Sequence, residues 1–134
     1  MTATINDTVQ KGLLAIDIVG EAAIGLQGNI ANPEGVDLLI TDAFLHIKVG
    51  ATAAATFNIG IGASGADNSD LMSAFDVNAP GDGTCWNVVA KVASEAAMTT
   101  PAIWHAADFL TLTSAAASAA DLDATLYVKY IRLD

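Results

Sequence analysis

Cysteine is nearly missing from this chain. Cys85 stands alone among 134 residues, so no disulfide can form within one copy. Basic residues are also scarce: five Lys and Arg face fifteen Asp and Glu, for a formal net charge of −10. Phosphate backbones and anionic bilayers are held by clustered Lys and Arg. The composition therefore argues against nucleic acid and membrane surfaces as partners. Long hydrophobic runs are absent too. Asp17 interrupts the apolar stretch Leu13–Ile16, and no basic region precedes a long apolar core near Met1. Neither a secretory signal nor a spanning helix is expected. A protein made in a cytoplasm, which stays there or leaves by a route other than secretion, is the reading that follows.

Aromatic residues make up only 6% of the chain, although hydrophobic residues make up 53%. Alanine fills much of the difference, and it buries little area per residue. A chain of this length suits one domain with a core of modest volume, to which neighbouring subunits can add. The negative charge keeps free copies apart in solution, and it also suits a basic partner or a salty medium.

The dominant period is two, that of β-strands. Leu13–Val19 reads as a strand. Val36–Gly50 reads as a longer one, interrupted near Asp42, with Leu45, Ile47 and Val49 on one face and Phe44, His46 and Lys48 on the other. In "ATFNIGIG", Phe57, Ile59 and Ile61 alternate with Asn58, Gly60 and Gly62. "TCWNVVAKVA", "DFLTLTSA" and "ATLYVKYIRL" continue the pattern, the last with the imperfect alternation of a strand covered on both sides. Between them lie the turn-rich segments "GNIANPEG", "GASGADNSD", "NAPGDGT" and "TSAAASAADLD". "SDLMSAF" has the composition of a single helical turn capped by Ser69 or Asp70. "VASEAAM" and "SAAASAADL" are alanine-rich but short, and read as strand end and loop. The expected fold is all-β: an antiparallel β-sandwich over 13–134, jelly-roll-like, preceded by a short extended arm over 1–12.

Gly60-Ile-Gly-Ala-Ser-Gly65 matches G-x-G-x-x-G, the phosphate loop of dinucleotide folds. That loop needs a helix whose N-terminus meets the pyrophosphate. Here at most seven or eight residues follow before "NAPGDG", so no such helix fits. Two of the glycines belong instead to a strand face that offers little to bury. Glycine in a strand lets another backbone approach closely. Asn58, Gly60 and Gly62 are thus candidate contacts for another chain. Asp67, Asn68 and Asp70 carry oxygens suited to a hard cation, but the EF-hand spacing and its closing glutamate are missing. Asp and Asn are equally the ordinary residues of turns, and "PGDGT" is likewise a tight loop.

No G-x-S-x-G, H-E-x-x-H or C-x-x-C is present. Only His46 and His105 exist, too few for a clustered zinc site, and Cys85 has no local signature of a nucleophile. Asp108, at a strand entrance, is expected to tie up a turn backbone. No cofactor, metal or catalytic constellation is expected. Trp86 and Trp104 are the remaining candidates. Each is a core residue or, if exposed, an aromatic contact for a partner or a sugar.

Two stretches carry a resemblance: "DAFLHIKVGATAAATFNIGIGASGADNSDLMSAFDV" and "ADFLTLTSAAASAADLDATLYVKYIRL". Their layout is a strand ending in small residues, an "F-N-I-G-I-G" strand, an aspartate-bearing turn, an "A-D-x-L-T-L-T" strand and a closing "L-Y-V-K-Y" strand. It resembles small structural proteins of tailed bacteriophages, among them head decoration and cement proteins, over Val36 to Leu133. The resemblance implies a non-enzymatic capsid decoration protein, a homo-oligomer with a trimer favoured, seated on the major capsid protein at the virion surface. It carries over no catalytic residue. A carbohydrate-binding or other ligand-binding β-sandwich using an exposed Trp is the alternative.

Overall fold

The computed structural model describes residues 11–78, 82–87 and 102–133. These residues form nine strands and no helix: β1 (Lys11–Val19), β2 (Gly25–Ala31), β3 (Leu38–Val49), β4 (Thr56–Gly62), β5 (Met72–Asp76), β6 (Thr84–Asn87), β7 (Ile103–Trp104), β8 (Phe109–Ala116) and β9 (Asp123–Arg132). Sheet A has the order β1-β9-β3-β6, with β7 also paired to β3. Sheet B has the order β2-β8-β4-β5. All pairings are antiparallel.

The pairs nest: β1 with β9, β2 with β8, β3 with β6 and β7, and β4 with β5. Such nesting is a long hairpin wrapped on itself, which gives the expected sandwich its jelly-roll-like layout. Period-two patterning drives it. Leu45 and Ile47 of β3, Leu126 and Val128 of β9, Phe57 and Ile59 of β4, and Leu110 and Leu112 of β8 are all buried between the sheets. Each such side chain contributes roughly 1.5–3 kcal/mol by leaving water. The central strand β9 lies between β1 and β3.

Several expected boundaries move. Lys11 and Gly12 already belong to β1, and the rest of the expected arm lies outside the described residues. The interruption near Asp42 is a register shift against β9 between Ile40 and Asp42; β3 runs through it. Gly28–Ala31, expected in a turn, is strand instead. Glycine costs that strand side-chain packing but admits Leu112, since a Cβ on Gly28 would stand 2.8 Å from its Cδ1. "SDLMSAF" is not a helical turn: β5 occupies Met72–Asp76, and Leu71, Met72 and Phe75 are buried. Pairing to β4 overrides the local capping signal. "VASEAAM" lies outside the described residues, whereas "SAAASAADL" ends β8 and then loops, with Ala117 and Asp121 at positive φ.

The glycine strand and its loop as the candidate functional site

β4 sits inside sheet B, between β8 and β5. Its inward face is Phe57 and Ile59, both fully buried. Its outward face is Asn58, Gly60 and Gly62, as the alternation requires. That face is not bare. Residues 63–70, which join β4 to β5, fold back over it.

The contact is made by backbone. A Cβ on Gly60 would collide with Asp70 Oδ1 and stand 2.5 Å from the Asn68 carbonyl carbon and 2.6 Å from the Ser69 nitrogen. Real Cβ atoms do not come so close, so only glycine fits there. Gly62 lies under the Asn68 side chain, 2.6 Å from Oδ1 to its would-be Cβ. The close approach expected of these glycines is therefore made by this chain's own loop.

Side chains fasten the loop across three strands. Ile61 N–H donates to Asp70 Oδ1 (2.7 Å), and Asn68 Nδ2 donates to the hydroxyl of buried Thr111 on β8 (3.0 Å). Farther across, Asn29 of β2 donates to Ser64 Oγ (3.0 Å) and accepts from Gly65 N–H (3.0 Å). Gly65 has φ +70°, the left-handed conformation glycine adopts without strain. Asn58 donates to Asp67 Oδ1 (2.9 Å) and accepts from Ala74 N–H (2.8 Å). Ala74 has φ 51° at the irregularity where β5 slips against β4. Asn58 thus satisfies a donor displaced from the ladder.

This arrangement gives the glycines and the aspartates structural partners. The strand leads into a loop and another strand, so no helix N-terminus faces Gly60 or Gly65. Asp67 and Asp70 spend oxygens on Asn58 and on Ile61 N–H. Among the described residues no group of three or more His, Cys, Asp or Glu gathers to hold a metal.

The other candidates lie elsewhere. Trp104 is fully buried in the core, and its Nε1–H donates to the Asp108 carbonyl (2.9 Å). Trp104 is not the exposed platform that a sugar needs. Trp86 lies on β6 opposite Leu45 of β3. Asp108 serves the turn through its backbone, its N–H donating to the His105 carbonyl. His105 Nδ1 lies 3.0 Å from Asp37 Oδ2, and Ala106 N–H donates to Asp37 Oδ1. The His105 hydrogen bond first, and that of Ala106 next, hold the Asp37 carboxyl below its ordinary 3.8. Asn32 completes this corner by donating to the carbonyls of Val36, Trp104 and His105.

One juxtaposition was not legible from the sequence. His46 of β3 and exposed Cys85 of β6 are cross-strand partners, and the same row continues to Thr125 and Asp17. The Thr125 hydroxyl donates to Asp17 Oδ1 (2.9 Å), so the row is tied at its far end to structure. In the sequence, 39 positions separate His46 from Cys85, and only the β3–β6 register brings them opposite.

No protein-family model matches the chain, and no curated protein matches it. Among solved structures, it is similar in fold to a chain described as "Cyanophage Pam1 capsid asymmetric unit". The TM-score is 0.52 at 15% identity, and the match covers 99% of this chain and 93% of that one. At that identity the likeness is one of fold.

Proposed function

We propose that the chain is a non-enzymatic structural protein of a tailed-phage virion, a decoration or cement protein seated on the major capsid protein at the head surface. The observation that carries this reading is the fold likeness over nearly the whole chain to a chain of a phage capsid asymmetric unit. The resemblance of Val36–Leu133 to phage decoration and cement proteins points the same way from sequence. The candidate site adds support, because the residues that looked most like chemistry are committed to holding sheet B together.

In this role the protein acts as a homo-oligomer, with a trimer favoured. Cyclic symmetry matched to a shell lattice makes each attachment multivalent, so weak individual contacts sum to tight retention. The charge of −10 keeps unassembled copies dispersed until a shell is available. Co-sedimentation tests the proposal. Mixed with shells assembled from the major capsid protein of its phage, the chain is expected to pellet saturably at a fixed ratio. A chain that stays in the supernatant at every ratio contradicts the reading.

A further inference from the structure

The edges of the two sheets are closed in different ways. An open edge offers unpaired N–H and C=O groups to any passing strand, and proteins blunt it with short strands, bulges or irregular backbone. β5 has five residues and a slip in register beside Ala74. β2 slips between Leu26 and Gly28. The far edge of sheet A is divided between β6, with four residues, and β7, with two. Among the described residues, β1 is neither short nor slipped, and it pairs on one side only. Its nine residues pair with β9 in unbroken register from Lys11↔Ile131 to Val19↔Asp123, and it contains no proline. Leu13 and Val19 are 62% and 75% exposed, and Leu14, which packs against the core, is only partly buried.

The sequence of β1 indicates what suits that edge. From residue 11 it reads K-G-L-L-A-I-D. Lys11 and Asp17 are its only charges, six residues apart along the strand. Reversing the strand about Leu14 exchanges positions 11 and 17. A second β1 laid antiparallel in that register sets Lys11 opposite Asp17 of the partner subunit, twice by symmetry. It also sets the two Leu14 residues against each other, where each is now incompletely covered. The Asp17 side chain is 81% exposed and free to meet a second cation beyond Lys48. In a chain of net charge −10, most approaches between copies bring like charges together; this one pairs opposite charges.

We propose that β1 is a homotypic docking edge, through which two copies of this chain join antiparallel about Leu14 and extend sheet A into one continuous sheet. The contact is two-fold and isologous. It is therefore additional to any three-fold contact, and in a trimeric assembly it links chains of neighbouring trimers. It stands independently of the virion reading.

Charge exchange tests it on the full chain, by sedimentation velocity over a concentration series at low salt. K11E and D17K each place like charges opposite one another twice. Each is expected to weaken the association about tenfold or more, splitting the assembly into halves. The double variant K11E/D17K restores pairing, and so does an equimolar mixture of the two single variants. D17K also gives up the Thr125 bond, so a second measurement avoids position 17. In a Cys85→Ser background, L14C is expected to form a disulfide-linked pair under mild oxidation, whereas L13C does not, because only residue 14 meets its own copy. Masses that do not change with concentration or substitution, a mixture that fails to restore pairing, or equal cross-linking at 13 and 14 overturn the proposal. Shell co-sedimentation reads the virion proposal separately: a chain that pairs but ignores shells contradicts that reading and leaves this one standing.

Discussion

Gly60 is the residue on which the candidate site turns. With backbone atoms of Asn68 and Ser69 about where its Cβ would be, G60A must push the loop off the strand. Overpacking of this kind costs about 1–3 kcal/mol, so the melting temperature should fall by several degrees. G62A meets only the Asn68 side chain, which can swing away, and should cost clearly less. Equal melting temperatures for the two variants would show that the loop does not rest on the strand. Asn58 makes a parallel case. N58A leaves Ala74 N–H without its acceptor and Asp67 without its donor, for about 1–2 kcal/mol. Hydrogen exchange at the Ala74 amide should quicken by more than at neighbouring amides. Asp37 reports through pH. Its carboxyl is held below 3.8 in the folded chain, so the stability it lends is complete above 3.8 and fades as pH falls through the folded value. Wild type should therefore exceed D37N in denaturant midpoint at neutral pH, and the two should converge in strong acid. A gap that persists in acid contradicts the His105–Asp37 assignment.

At the scale of elements, strong alternation was legible and weak alternation was not. β3, β4 and β8 follow from period two because each sets bulky residues on one face, and β9 was legible despite its imperfect alternation. β2 escaped because Gly28 and Asn29 look like a turn, yet pairing to β8 makes a strand of them. β5 escaped because Ser69 and Asp70 look like a helix cap; Asp70 in fact caps nothing and binds Ile61 N–H across the hairpin. Both errors have one cause. Turn-forming residues also serve where a strand must pass close to another segment, and only tertiary context separates the two uses. The glycine face was legible as a place of close approach, but not what approaches. That depends on residues 63–70 folding back over β4, β8 and β2, a placement no local pattern encodes. The same limit applied to Trp104. The corner built by Asn32, Asp37 and His105 fixes β7 against β3 and carries the indole into the core. W104A should cost about 3–5 kcal/mol, read as a large fall in melting temperature, whereas a peripheral tryptophan would cost far less.

For the whole molecule, the described pieces form a small sandwich in which Asn29, Asn32, Asn58, Asn68 and Asp70 serve its own architecture. One sheet is covered on its outer side by its own loop. The other ends in the nine-residue strand β1, paired on one side only among the described residues. In the proposed virion role, such a chain presents a rigid surface many times over. The proposed role adds assembly through more than one contact on a shell that repeats the same site. Quantitative mass spectrometry of gradient-purified virions of the encoding phage tests this most directly. The account predicts the intact chain in the head fraction, in a fixed ratio to the major capsid protein across preparations. A chain abundant in the infected cell and absent from purified heads would contradict it.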